Sequence, residues 1–380
     1  MEIESLELKN NVFQILQPHQ SENFSPQIVF LFGDTDFFKK PEYYQKIREC
    51  YPDADIIGSS SSGNVMGVEV SQSPIIALAV QFKKARVKLV SIDFQNNYDL
   101  NVLEEQVTQA IAELDQPDLK QLFVLSDGLT MNGSDLVGCI NKVTDVPVTG
   151  GLAGDGARFQ ETWVMANDVP KQNRVAILGF YGDSLKTSYG CYAGWSEFGA
   201  ERYITKSDRN VVYEIDNQPA LDLYKKYLGD YAADLPNSGL RFPLSIKKEG
   251  DDSEIIRTLL AINEEDKSIT FAGNVPEGYR ARLMKPDLDV LIDGAGIAAQ
   301  NVEQANNSQA LGLVVSCVGR KIIMGQMVEE ELEAVEEILG NNVQLCGFYS
   351  YGEISPMNID GSACSLHNQT MTLTTIYEDI

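Results

Sequence analysis

The sequence predicts an α/β fold of two domains, with mixed sheets assembled from repeated strand–helix–strand units. Three observations carry this. First, one arrangement recurs three times in the 380 residues. An apolar strand ends in a small or polar loop, a helix follows, then a second short strand, then a bend rich in glycine or serine. Second, the apolar runs, such as Ile75–Val80 and Leu311–Val315, are of strand length. None approaches the roughly 20 residues that a membrane helix needs. Third, two of the bends align residue by residue.

The first copy opens at Ile28–Asp34. Pro41, suited to a helix first turn, starts a helix running to Cys50. Asp55-Ile56-Ile57 returns, and Gly58–Gly63 is the bend. The second copy opens at Leu122–Gly128, places a helix over about 133–143, and returns through Val146–Thr149 into Gly150–Gly156. The third opens at Leu313–Cys317. Its helix, Val328 to Leu339, puts Val328, Leu332, Val335 and Leu339 on one face and most of its glutamates on the other. Val343–Cys346 returns into Gly347–Gly352.

Gly58–Val65 and Gly347–Ile354 share G-x-x-S-x-G, then a polar and a β-branched residue, so the two bends are expected to share a backbone shape. Strand–helix–strand units favour parallel pairing with right-handed crossovers. Antiparallel hairpins are expected around Lys83-Lys84, joining Ile75–Val80 to Val87–Ile92, and between Thr162–Met165 and Ala176–Phe180. A turn at Ile215–Pro219, followed by a helix over Ala220–Leu228, marks the domain boundary. The domains are read as 1–215 and 216–380. The loop-rich stretch 229–252 is expected to lie over one surface, near a site.

Composition narrows the function. The formal net charge is −25. Lysine and arginine supply most non-specific affinity for phosphate backbones, so no nucleic-acid partner is expected. Membrane insertion is not expected either. The start, Met1–Glu7, is acidic and lacks the features of a secretory signal, which points to the cytoplasm. Six scattered cysteines without a C-x-x-C pair read as reduced thiols rather than disulfides or a zinc site.

Several of these bends resemble the FIST family. Gly150-Gly151-Leu152-Ala153-Gly154-Asp155, with Phe159 and Thr162, is similar to the signature of the FIST N-terminal domain, as is Gly58–Val65. Ser316–Arg320, Glu330–Leu332, Gly347–Pro356 and His367-Asn368-Gln369-Thr370 resemble the FIST C-terminal domain. The likeness runs from about residue 25 to the end and assigns 1–215 to the first domain and 216–380 to the second. Asn64 departs from the pattern, because the family's first bend often carries an acidic residue there. The resemblance implies a sensory, ligand-binding protein with amino acids as proposed ligands, and not an enzyme. Some stand-alone relatives bind haem and report nitric oxide to a partner kinase. This sequence shows no kinase, F-box or membrane segment, so the output is expected on another chain, a histidine kinase or a cyclic-dinucleotide enzyme.

The candidate site residues cluster at the bends. Gly347 and Gly352 let backbone approach a ligand, while Phe348, Tyr349 and Tyr351 offer aromatic faces. Glu353 could hold an amine and Arg320 a carboxylate; the two could equally pair with each other. Asn368 and Gln369 add polar groups. Gly150, Gly151 and Asp155 could cradle an anion, or form a plain turn. His367 is the residue for a haem axial ligand, or else bonds backbone and pins the 349–353 bend. Thiolate ligation by Cys317 or Cys364 comes next. A Cys317–His367 nucleophile and base is the remaining catalytic alternative, without a local signature to support it.

Overall fold

Continuous apolar strands need cover on both faces, and the architecture supplies it. The structure, a computed structural model, describes residues 1–250, 253–302, 309–357 and 363–379. Three six-stranded mixed sheets each hold one parallel pair. Ile28–Asp34 lies beside Asp55–Ser61, Leu119–Ser126 beside Val148–Leu152, and Ala310–Cys317 beside Val343–Ser350. An antiparallel strand flanks the first member of each pair: Ile75–Gln81, Arg174–Tyr181 and Met371–Glu378. These are the three repeats read from sequence, here called the first, second and third units.

The units exchange strands in a cycle. Asn64–Met66 leaves the first unit and pairs with Val343–Ser350 of the third. Gly352–Pro356 leaves the third and pairs with Val148–Leu152 of the second. Val164–Ala166 leaves the second and pairs with Asp55–Ser61 of the first. Each exchange covers an edge that would otherwise expose unpaired backbone groups. The inward side chains of all three sheets, among them Phe30, Phe32, Phe123, Leu125, Leu313 and Val315, form one central core. Outward side chains meet helices: Val29 and Leu31 meet Tyr43 and Ile47, Leu122 and Val124 meet Leu103 and Leu136, and Val314 meets Leu291 and Leu332.

One register position explains three glycines. Gly58, Gly150 and Gly347 stand opposite Leu31, Val124 and Val314 on the adjacent parallel strands. A Cβ at each would lie 2.1, 1.9 and 1.8 Å from the carbonyl oxygen of that partner. The first and third bends repeat their hydrogen bonds as well. Ser61 Oγ donates to Asn64 Oδ1, and Ser350 Oγ donates to Glu353 Oε1, both at 2.5 Å. Each node is tied to the approach of the unit's antiparallel strand. Asn64 Nδ2 donates to Ser73 O (3.0 Å), and Thr370 Oγ1 donates to Glu353 Oε2 (2.8 Å).

Between the Leu185–Tyr192 strand and the Leu288–Gln300 helix, an eight-stranded antiparallel sheet is inserted, spanning Ser196 to Lys285. Ile204, Val212, Tyr224, Phe271 and Leu283 fill its core, with the helix Ala220–Leu228 packed on it at the limits read from sequence. The boundary at 215/216 falls inside this sheet, because Val211–Ile215 pairs with both Ser196–Asp208 and Ile269–Phe271.

Two expected hairpins do not form. Val87–Ile92 pairs with Arg174–Tyr181 in the second unit instead of with Ile75–Val80. The corner between them is held by Glu378, whose carboxylate accepts from the N–H groups of Lys83, Lys84 and Ala85 at 2.7–2.8 Å. Likewise Val164–Ala166 joins the first unit, leaving Arg174–Tyr181 in the second. The helices Leu100–Leu114 and Leu288–Gln300 are additions to the sequence reading.

Candidate functional site

The strand Leu119–Ser126 ends in a loop that its own side chains organise. Asp127 Oδ1 accepts from Leu129 N (2.9 Å), Thr130 N (2.8 Å) and Thr130 Oγ1 (2.8 Å), while Oδ2 accepts from Asn173 N (3.1 Å). Asn132 then caps the Gly133–Ile140 helix, its Oδ1 accepting from Ser134 N at 3.0 Å.

The inserted sheet closes over this loop. Asn132 Nδ2 donates to Asn274 Oδ1 (2.9 Å), Asn274 N donates to Ser134 Oγ (3.0 Å), and Arg209 pairs with Asp135. Arg257 is buried, donating from Nε to Asn274 O and from Nη1 to Leu366 O, both at 2.9 Å; burial brings its guanidinium down to about 10.

Between the two surfaces lies a cavity of about 380 Å³, within the roughly 300–1,000 Å³ common for small-molecule sites. Tyr98, Leu129, Met131, Asn132 and Gly133 form the second unit's wall. Arg209, Asn210, Leu240, Thr258 and Phe271 form the opposite wall, and Cys317, Val318 and Tyr351 line the end contributed by the third unit. The Thr258 hydroxyl is buried and has no hydrogen-bond partner among the described residues.

The FIST N domain matches residues 27–218, and the FIST C domain matches residues 220–356. The chain belongs to the FIST family. FIST domains are sensory domains that bind small ligands. The uncharacterized protein MJ1623 of Methanocaldococcus jannaschii is 20% identical over 329 residues, covering 80% of this chain and 62% of that protein. The FIST chain thus spans less than two thirds of the length of this curated relative. Among solved structures, a cyanuric acid hydrolase from A. caulinodans has 8% identity and a TM-score of 0.34, with 94% of this chain and 91% of that one covered. A chorismatase has 7% identity and a TM-score of 0.35, with 98% of each covered. Similarity this low carries no argument about function.

Of the FIST residues singled out from sequence, Tyr351 reaches the cavity wall, and so does Cys317. Phe159 stacks on Tyr351, with centroids 4.5 Å apart. The Tyr351 hydroxyl bonds Asp155 and Gly156 O. Asp155 also accepts from the N–H groups of Phe159, Gln160 and Glu161. Burial works against its charge, but these donors outweigh it and hold the carboxyl below its usual range.

The remaining candidates are spent internally, except that Gln369 Oε1 is buried without a partner among the described residues. Phe348 stacks on Phe32 at 4.8 Å in the central core. The Tyr349 hydroxyl donates to Glu331 Oε1 (2.8 Å). Gly150 and Gly347 sit against carbonyl oxygens, Gly151 against the Val315 side chain, and Gly352 against Leu152 and Leu366. Arg320 pairs neither with Glu353 nor with open space. Its Nε and Nη2 donate to Glu331 Oε2 at 2.9 and 2.8 Å, and the rest of the fork is taken by the carbonyls of Ala193 and Leu291. Glu353 is fully buried with Ser350 and Thr370, and burial pushes its carboxyl up to about 7. Asn368 Oδ1 accepts from Thr258 N (3.4 Å), and Gln369 Nε2 donates to Leu240 O (3.0 Å), so this pair bridges to the inserted sheet directly behind the cavity.

His367 has one ring nitrogen committed to the fold. Its Nε2 is bonded to Ser355 O at 3.0 Å, the ring is 4% exposed, and burial lowers it to about 4. It lines a separate cavity of about 280 Å³ with Cys191, Trp195 and Met284. Cys317 and His367 therefore open on different cavities and form no dyad. Burial raises the thiols of Cys317 and Cys364, the latter to about 12, so neither is poised as a thiolate. Among the described residues no cluster of His, Cys, Asp and Glu could hold a metal ion, and no helix is long and apolar enough to cross a membrane.

The sequence reading missed Thr258, Arg209 and the 129–133 loop. That loop was detectable as the segment following a parallel strand's carboxyl end, where α/β folds collect ligands. Leu240 comes from the loop-rich 229–252 stretch; the last two residues of that stretch lie outside the described residues. Thr258 carried no local signal.

Proposed function

We propose that this protein is a cytoplasmic sensor. It binds a small metabolite in the cavity between the second unit and the inserted sheet, and it signals to a separate output protein. The observation that carries the reading is that opposite walls of one cavity come from two bodies joined by polar contacts: Arg209 with Asp135, Asn274 with Asn132, Ser134 and Asp135, Arg257 with Leu366, and the inserted sheet with Asn368 and Gln369. A ligand touching both walls favours one placement of the inserted sheet over others. That differential affinity is what a sensor needs to bias a partner. Asn368 and Gln369 lie at the entrance of the central Met371–Glu378 strand, so a change at the cavity reaches the ring there. A histidine kinase or a cyclic-dinucleotide enzyme is the proposed output.

Calorimetric titration with amino acids and related small metabolites tests the reading, beside an Ala272→Trp variant that fills the cavity. Saturable binding that disappears in the variant supports it, and binding that persists there removes it. The haem alternative would use His367 Nδ1, with Nε2 kept on Ser355 O, in the second cavity. A Soret band on haem addition, lost in His367→Ala, would establish it.

A further inference from the structure

The chain carries 55 acidic residues against 30 lysines and arginines, yet no aspartate or glutamate lines the 380 Å³ cavity among the described residues. Its one charged lining residue is Arg209. The carboxylates just behind the wall are already saturated by internal donors. Asp127 serves the 129–130 turn and Asn173, Asp155 serves three backbone N–H groups and Tyr351, and Asp135 serves Tyr98, Arg209 and Asn274.

An ammonium group entering this space would give up its hydration without gaining a countercharge, at a cost of several kcal/mol. An anion meets the opposite situation. The Arg209 guanidinium is 54% exposed, and its only ion pair among the described residues uses Nη2. The Gly133–Ile140 helix begins at the wall; Asn132 takes the N–H groups of Ser134, Asp135 and Leu136, so that of Gly133, which lines the cavity, is the first-turn donor left for a ligand. Thr258 lines the same wall, with its hydroxyl buried beneath the cavity surface and without a partner among the described residues. Leu129, Met131, Leu240 and Phe271 supply an apolar body of wall.

Resting on the cavity reading above, the geometry points to a ligand that is a small monocarboxylate with an apolar body and no ammonium group. The Arg209 nitrogens that Asp135 leaves free are donors for one carboxylate. The Gly133 N–H adds a further donor, and the ligand's hydrocarbon fills the apolar walls. The amine-and-carboxylate recognition expected at Glu353 and Arg320 has no counterpart here.

The test uses the full chain at pH 7 and matched probes. 3-Phenylpropionate, hexanoate and 4-methylpentanoate are each titrated beside the α-amino acid, primary amine and primary amide of the same skeleton. At least one carboxylate is expected to bind about tenfold or more tighter than its amino acid and its amine. Arg209→Gln is expected to remove about tenfold of that affinity while leaving the amide unchanged. An amino acid that binds as tightly as its deaminated counterpart, a carboxylate indifferent to Arg209→Gln, or a panel in which no carboxylate binds overturns the assignment. Ala272→Trp, with its folding checked by thermal melting, separates the two failures. An amino acid whose binding is lost in that variant keeps the cavity and discards the ligand class; binding that survives discards the cavity.

Discussion

The bend at 347–353 and the cleft beyond Gly128 both follow central strands of the ring, and they are built in opposite ways. The bend is rich in chemistry, with two tyrosines, a glutamate and a nearby arginine, and every group is used by another. The cleft is lined by leucines, asparagines, two threonines, two tyrosines and one arginine, without a carboxylate among the described residues, and it keeps volume. Reactive composition therefore marked the place where the protein holds itself together. The place where it can hold something else is set by what its walls leave empty.

The contrast is sharpest between the two arginines. Glu331→Ala strands the fully buried Arg320 charge and is expected to cost roughly 3–5 kcal/mol. Arg209→Ala takes an exposed partner from the buried Asp135, which keeps Tyr98 and Asn274, and is expected to cost less, about 1–2 kcal/mol. Urea denaturation of both variants measures the difference, and equal losses would break the comparison.

Glu353 gives the bend a pH signature. Its folded value of about 7 lies above the ordinary 4.5 because burial disfavours the charge. The native state therefore holds the proton more tightly than the unfolded chain does. Stability is retained in full below about 4.5 and falls as pH rises through about 7, with a slope approaching roughly 1.4 kcal/mol per pH unit inside that window. Glu353→Gln should flatten this slope in a series of denaturation curves from pH 4 to 8, and an unchanged slope would assign the titration elsewhere.

The first unit provides the matching control. Asn64 occupies the place of Glu353, but its amide donates to Ser73 O. Asn64→Asp turns that donor into a carboxylate facing a carbonyl. The expected loss is about 1–3 kcal/mol at neutral pH, partly recovered in acid as the new group protonates. A loss independent of pH would mean that the two bends are not equivalent.

The smallest effect belongs to the cleft. Thr258→Val removes a hydroxyl that bonds nothing among the described residues, so stability should change by less than about 1 kcal/mol, in either direction. A large destabilisation would mean that the hydroxyl already serves the fold.

The sequence by itself determined the threefold strand–helix–strand theme, the parallel pairs, the helix at Ala220–Leu228 and the glycines of each return strand. These follow from local periodicity and from steric demands repeated at one register position. It also carried the bend equivalence, since G-x-x-S-x-G sets the serine that donates to the residue three positions on. Tertiary structure alone decided the rest. The edge strands cross between units, so Val87–Ile92 and Val164–Ala166 found partners far from their neighbours in sequence. Arg320 meets Glu331, where the sequence offers Glu353 or a ligand carboxylate as its partner. The cavity joins residues as distant as Tyr98, Thr258 and Tyr351. Periodicity records which face of a strand is buried, but an empty space between two bodies leaves no pattern in either of them.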